Sequence, residues 1–160
     1  MDADTEYWME YRLRDISPQD KLALERFHAR LSPDTRYRRY HGAKGDLTRT
    51  ELTYLTEVDG HEHVALVAED PQGELHAVAR AVADGPGAAE LAIVVADDCQ
   101  HTGVGGALLR SLIERCRREG LEKIILEVQS DNYRALRFFQ GLGARQVAHD
   151  GGVSTLVIEP

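Results

Sequence analysis

Cysteine is nearly absent from this chain: Cys99 and Cys116 are the only two among 160 residues. Two thiols are too few for a disulfide framework, and they lack the paired spacing of a structural metal site. Two reduced thiols in a cytoplasmic protein are the expectation that follows. Long apolar runs are missing as well. No stretch approaches the roughly 20 residues of a membrane-spanning helix. The opening "MDADTEYWME" is acidic where a secretion signal is basic and then apolar. Positive charge is also in deficit: 19 Lys and Arg stand against 27 Asp and Glu, a formal net charge of −8. Such a balance disfavours nonspecific nucleic-acid binding, which rests on neutralising phosphates with cations. It favours a basic substrate, for instance a lysine-bearing protein. No internal repeat, low-complexity tract or linker interrupts the chain, and its length suits one domain over residues 1–160.

The remaining pattern is that of a mixed α/β (α+β) fold. Residues 1–10 look like a loose acidic arm, and "YRLRDI" is a first strand with Tyr11, Leu13 and Ile16 inward. "SPQDKLALERFHARL" is a helix punctuated by Ser17 as N-cap, Pro18 at its first position and Asp20 in its first turn. Leu24, Phe27, His28 and Leu31 form its inner stripe, with His28 as a hydrogen-bonded packing histidine. Ser32 opens a second helix, and Thr48 with Glu51 has capping-box spacing for a third. "HVALVAED", "ELHAVARAVAD" and "AAELAIVVAD", separated by "PQG" and "GPG", predict an antiparallel meander. His61 and His63 have no metal spacing and are expected to face solvent.

The segment 104–119 is amphipathic, with Leu108, Leu109, Leu112, Ile113 and Cys116 on one face and Gly120 as its stop. "KIILEVQ" is almost wholly apolar, as expected of a strand covered on both faces. A short helix "NYRALRFFQGLG" follows, and a hairpin turning at Asp150, Gly151 and Gly152 closes the chain. The strand–helix–strand unit in the middle predicts one parallel pair in an otherwise antiparallel sheet.

The segment "CQHTGVGGALLRSLIERC" poses the functional question. Gly103, Gly105 and Gly106 sit at the mouth of a helix, where each glycine costs about 1 kcal/mol against alanine. Bare backbone there lets an anion approach N–H groups at the positive end of the helix dipole. A Walker loop is excluded because no Gly-Lys-Ser/Thr follows. A dinucleotide fingerprint is excluded because Leu108 stands where its third glycine belongs.

The pattern Q-x-x-G-x-G after an apolar strand, carried by Gln100, Gly103 and Gly105, resembles the acetyl-CoA loop of the GCN5-related N-acetyltransferase (GNAT) family. "SDNYRALRFFQGLGA" is similar to that family's second motif through Asn132, Ala135, Phe139, Gly143 and Ala144. The likeness covers about residues 64 to 158. "RLSPDTRYRRYHG" and "LTYLTEVDGHEHVALVAED" further resemble the GNAT domain of bacterial Pat-type protein lysine acetyltransferases.

The resemblance implies a GNAT fold, a mostly antiparallel twisted sheet with a central parallel pair flanked by helices. It implies acetyl-CoA as acyl donor, with no metal. The backbone of His101, Thr102, Gly103, Val104, Gly105 and Gly106 would hold its pyrophosphate, with Gln100 at the head of the loop. Ile93, Val94 and Val95 would pair with its pantetheine arm where the parallel strands splay, Asn132 would bond that arm, and Phe138 or Phe139 would pack at the thiol end. Many relatives carry Arg or Lys in the loop where this chain has His101 and Thr102, so phosphate attraction leans on backbone dipoles or on Arg110 and Arg137.

An amine attacks a thioester only when unprotonated, and a free lysine has a pKa of about 10.4, so a general base is needed. Glu90 is the candidate, at the family's position early on the strand that leads to the loop. Alternation puts it on one face with Ala92 and Val94, where burial would raise its pKa. Glu127 or a chain of waters is the alternative base. No acid is evident, since Phe139 occupies the position of a tyrosine found in many relatives. The expected partners are acetyl-CoA and an acceptor protein or small amine, with no nucleic acid and no membrane, and a homodimer left open. A small-amine or polyamine acetyltransferase and a non-catalytic acetyl-CoA sensor stand as alternatives to a protein lysine acetyltransferase.

Overall fold

The computed structural model describes residues 6–160. In chain order the elements are β1 (Glu6–Trp8), β2 (Tyr11–Asp15), α1 (Lys21–Ala29), α2 (Pro33–Tyr40), α3 (Arg49–Thr56), β3 (His63–Glu69), β4 (Leu75–Ala83) and β5 (Ala88–Val95). There follow α4 (Val104–Arg118), β6 (Lys123–Gln129), α5 (Tyr133–Gly141), β7 (Arg145–Asp150) and β8 (Val153–Ile158). The strands form one sheet in the order β1-β2-β3-β4-β5-β6-β8-β7, antiparallel except for the β5–β6 pair. This mixed sheet with one parallel pair is the arrangement that the resemblance implies.

Local chemistry sets the helix starts. Ser32 accepts a hydrogen bond from Thr35 N, and Thr48 exchanges capping-box bonds with Glu51. Ser17 and Asp20 also form a capping box, but the turn Pro18–Asp20 is a 3-10 turn and the α-helix proper begins at Lys21. Helix α4 packs on β3 and β4, burying Leu108, Leu109, Leu112 and Cys116, with Ile113 half-buried. Burial pushes the Cys116 thiol up to about 11, so it serves as a small core hydrophobe.

Four expectations are corrected. The arm is shorter than its acidity suggests, because Glu6–Trp8 pairs with β2 as an edge strand; residues 1–5 lie outside the described part. Strand β6 is covered on one face only. Ile124, Leu126 and Val128 are buried, whereas Ile125 is half-buried and Glu127 exposed. His63 is buried, its Nε2 2.7 Å from Arg80 Nη1, and burial beside that guanidinium lowers its pKa to about 4. His28 is buried without a hydrogen-bond partner on either ring nitrogen among the described residues, packed edge-on against Tyr40 at 5.7 Å. Burial and the charges of Arg36 and Lys44 hold it neutral, with a pKa near 4.

Arg14 joins three elements. Its guanidinium donates two 2.8 Å bonds to Asp20 and further bonds to Glu69, while Ser17 N donates to Asp20 at 2.7 Å. Burial alone would raise the Asp20 pKa, but the Arg14 and Ser17 bonds outweigh it and hold the carboxyl below its usual 3.8. A depressed folded-state pKa contributes stability that is present above the unfolded value and is lost as pH falls through the folded one. Asp20→Asn should therefore cost about 2 kcal/mol at pH 7, the scale of charge-assisted hydrogen bonds. Urea unfolding should show the gap to the unsubstituted protein narrowing steadily below pH 3.8. A gap that stays constant down to pH 2 would mean that Asp20 acts through its shape and not its charge.

Candidate active site

The parallel register of β5 and β6 runs from Ala88↔Lys123 to Glu90↔Ile125 and stops. Beyond it, Leu91–Val95 pair only with β4, and Leu126–Gln129 only with β8. The two strands diverge into a wedge, and a cavity of about 650 Å³ opens along it. Strand alternation places Ile93 and Val95 against α4, and Glu90, Ala92 and Val94 on the opposite face. Because Glu90 and Ile125 are in register, Glu127 shares the Glu90 face two residues further along.

Most of the residues anticipated for the site converge here. Glu90, Ile93, Val94, Val95, Gln100, His101, Gly103, Gly105, Gly106, Asn132, Phe138 and Phe139 line the cavity. Thr102 and Val104 do not. The Thr102 hydroxyl donates to Cys99 O at 2.6 Å, and the Val104 side chain is fully buried. Gln100 lines the wall with its amide engaged, donating to Val95 O at 3.1 Å and Thr35 Oγ1 at 3.2 Å, so it ties the loop to the end of β5. Asn132 Oδ1 accepts from Ala135 N and caps α5. Phe138 and Phe139 stack edge-to-face at 5.5 Å.

The glycines have a packing reason of their own. Gly103 has φ +92°, which L side chains rarely adopt, and an added Cβ would lie 2.9 Å from Trp8 Cζ2. A Cβ on Gly105 would lie 2.8 Å from Val95 Cγ2, and one on Gly106 would lie 3.1 Å from Phe138. Helix α4 has no side-chain cap and no acidic residue in its first turn. Its leading N–H groups therefore face the cavity with their partial positive charge.

Glu90 is exposed, so the expectation that it is buried is corrected. The cation beside the loop is also corrected. Arg110 lines the cavity, but Arg137 points elsewhere, and Arg134 takes that place with Nη1 hydrogen-bonded to His101 Nε2.

Sequence reasoning missed two groups. Helix α2 brings Arg38, Arg39 and His41 to the Glu90 side of the cavity. Their signal, the run "RYRRYHG", carried charge but no periodicity that fixed its neighbours. At the loop's base, Cys99 Sγ lies 3.2 Å from His76 Nδ1, whose Nε2 meets Asp70 at 2.7 Å. Donor atoms of His76, Asp98 and Cys99 lie within 4.8 Å of one another, residues that no sequence spacing joins.

Residues 21–144 match the acetyltransferase (GNAT) family. The chain is 34% identical over 146 residues to acetyltransferase Pat of Mycolicibacterium smegmatis, covering 89% of this chain and 44% of that protein. It thus spans less than half the length of that relative. Among solved structures, the GNAT domain of S. lividans PAT superposes with a TM-score of 0.88 at 27% identity, over 94% of this chain and 90% of that one. A phosphinothricin acetyltransferase from Sinorhizobium meliloti, solved in complex with AcCoA, shares the fold with a TM-score of 0.75 at 18% identity, over 94% and 89% of the two chains. On the match across residues 21–144 and the 34% identity to Pat, this chain belongs to the acetyltransferase (GNAT) family.

Proposed function

We propose that this chain is an acetyl-CoA-dependent N-acetyltransferase whose acceptor is a primary amine, foremost a protein lysine side chain, with Glu90 as general base. The observation that carries the reading is the wedge between β5 and β6, which runs from the uncapped N-terminus of α4 to Glu90. Family membership supplies the chemistry, and the residues fit the donor. The N–H groups of Gly105 and Gly106 suit a pyrophosphate, with Arg110 and Arg134 adding the positive charge that the loop itself lacks. The edge of Ile93–Val95 that β6 leaves unpaired, apart from the Val95 carbonyl held by Gln100, offers backbone donors and acceptors to pantetheine amides.

Acetyl-CoA supplies an activated acyl carbon, so the chain has to orient an amine and remove its proton. Glu90 stands where the strands part, the point at which the two arms of the wedge meet. Its carboxylate takes the ammonium proton, leaving the nitrogen lone pair free to attack. Water at the exposed apex carries that proton onward. Phe138 and Phe139 form an apolar wall that shields the reacting end. A thiol pKa of about 8.5 makes the departing thiolate a fair leaving group without a dedicated acid.

Two experiments test the reading. Glu90→Gln preserves shape but cannot accept a proton, so kcat should fall by roughly 10²–10⁴-fold. Calorimetric acetyl-CoA affinity should change little, and the rate should recover partly as pH approaches the lysine pKa. Turnover unaltered across pH would remove Glu90 from the chemistry and leave Glu127, on the same face, or a chain of waters as the base.

Gly105 tests the loop. Because its added Cβ meets Val95 rather than open space, Gly105→Ala should destabilise the fold by about 1–3 kcal/mol through overpacking. Val95→Ala in the same chain should return part of that stability in urea melts. The repacked double variant should still bind acetyl-CoA, since the N–H groups stay bare. Loss of stability in Gly105→Ala with no relief from Val95→Ala would show that the contact is not the limiting one.

A further inference from the structure

Buried charges are ordinarily paired, because desolvation costs several kcal/mol per ion, and a guanidinium does not escape by losing its proton at physiological pH. Most arginines here obey the rule. Arg14 binds Asp20 and Glu69, Arg26 and Arg30 share Glu74, and Arg115 holds Asp15, although the last three sites are far more open to water. Two arginines on the Glu90 face, Arg80 buried and Arg39 half-buried, form no ion pair among the described residues.

Arg80, on β4, is 5% exposed, and its Nη1 meets two neutral acceptors, His63 Nε2 at 2.7 Å and the Leu55 carbonyl at 3.2 Å. Arg39, on α2, forms no ion pair and no hydrogen bond among the described residues; its guanidinium stacks on the Tyr40 ring at 4.9 Å and borders the cavity. Burial lowers the proton affinity of both, and the charge of Arg39 adds to the effect at Arg80. Beside them Arg38 holds Asp34 through its Nε at 3.3 Å, while its buried Nη1 has no hydrogen-bond partner among the described residues and lies 3.6 Å from Asp131. In a chain of net charge −8, carboxylates to satisfy these groups were not scarce. The Glu90 carboxylate acts on Arg39 only through space, without a hydrogen bond, so the Arg39 donors stay unengaged where they border the cavity.

We propose that Arg39, with Arg38 beside it and Arg80 behind it, forms a carboxylate-binding subsite that selects acceptors carrying a carboxylate close to the reacting amine. A guanidinium offers planar paired donors to a carboxylate, and such charge-assisted bonds are strong where water is scarce. The inference rests on the reading of the cavity as an acyl-transfer site. The carboxylate has two sources: an acidic side chain next to the lysine of a protein, or the free carboxylate of a small amino acid.

The test compares two matched acceptor pairs with acetyl-CoA as donor. One pair is N-acetyl-Asp-Lys-amide against N-acetyl-Asn-Lys-amide, and the other is Nα-acetyl-lysine against its amide. In at least one pair the carboxylate member should have roughly tenfold or more higher kcat/KM, and which pair shows it names the source. Arg39→Gln should bring that ratio to about one, while Arg39→Lys keeps part of it. Should Arg39→Gln fail to fold, Arg39→Lys takes its place: an ammonium keeps the charge without the planar paired donors and should lower the ratio, and an unchanged ratio overturns the assignment. Calorimetry of the four acceptors on CoA-loaded protein separates this inference from the functional reading. Turnover without preference leaves an acetyltransferase and overturns the subsite. Selective binding of the carboxylate members without turnover of any acceptor keeps the subsite and overturns the transferase reading. A preference that survives Arg39→Gln overturns the assignment to Arg39.

Discussion

The β5–β6 pairing stops at Glu90↔Ile125, and everything in the candidate site follows from that break. Each strand is held on its other side. Strand β5 stays in register with β4 from Ala89 to Val95, and β6 with β8 from Ile124 to Gln129. Neither can swing across to close the gap without giving up a full ladder. The sheet therefore behaves as two firmly paired halves hinged at one short parallel contact. Unpaired backbone edges inside a sheet are costly when dry and invite another strand. Here the free edge borders an open cavity, where water or an extended ligand can satisfy it.

The glycine cluster shows how one requirement serves two ends. From sequence, bare backbone at a helix mouth points to an anion. The structure adds that Gly103, Gly105 and Gly106 each lie where a Cβ would press on Trp8, Val95 or Phe138. Close approach of α4 to β5 and α5 is what presents the first-turn N–H groups to the wedge. A side chain there would push the helix away and also screen those groups, so packing and the proposed donor binding call for the same residue. The roughly 1 kcal/mol that each helical glycine costs is set against both gains at once.

How much of this was legible follows the range of the forces involved. Caps are decided within four residues: those at Ser32 and Thr48 form as the sequence suggests, while Ser17 caps a 3-10 turn that precedes the helix expected there. The parallel pair was legible because a helix between two apolar strands leaves few other connections. Strand β1 was hidden, since three polar-to-aromatic residues and a turn through Met9 at φ 53° carry no alternation to detect. The environment of Glu90 was hidden for a different reason: its neighbours come from α2, some fifty positions away, and no periodicity links "RYRRYHG" to "AAELA". His63 with Arg80, and Cys99 with His76, are products of sheet register and loop return in the same way.

That long-range layer also gives the cavity its electrical shape, which composition alone misstates. A net charge of −8 suggests a uniformly acidic molecule attractive to any cation. The cavity wall is instead segregated. Arg110 and Arg134 stand near the glycine loop, Arg38 and Arg39 near the strand junction, and Glu90 and Glu127 along one face between them. Segregation of this kind steers a substrate by its charge pattern rather than its total charge. On the proposed reading, the outer field would draw an amine inward, Arg39 would fix where an accompanying anion comes to rest, and Glu90 would receive the ammonium proton. A sheet that closed along β5 and β6 would bury these groups against one another as ion pairs. The open wedge keeps Arg39, Arg110, Glu90 and Glu127 without an ion pair among the described residues, whereas Arg38 holds Asp34 and Arg134 holds His101.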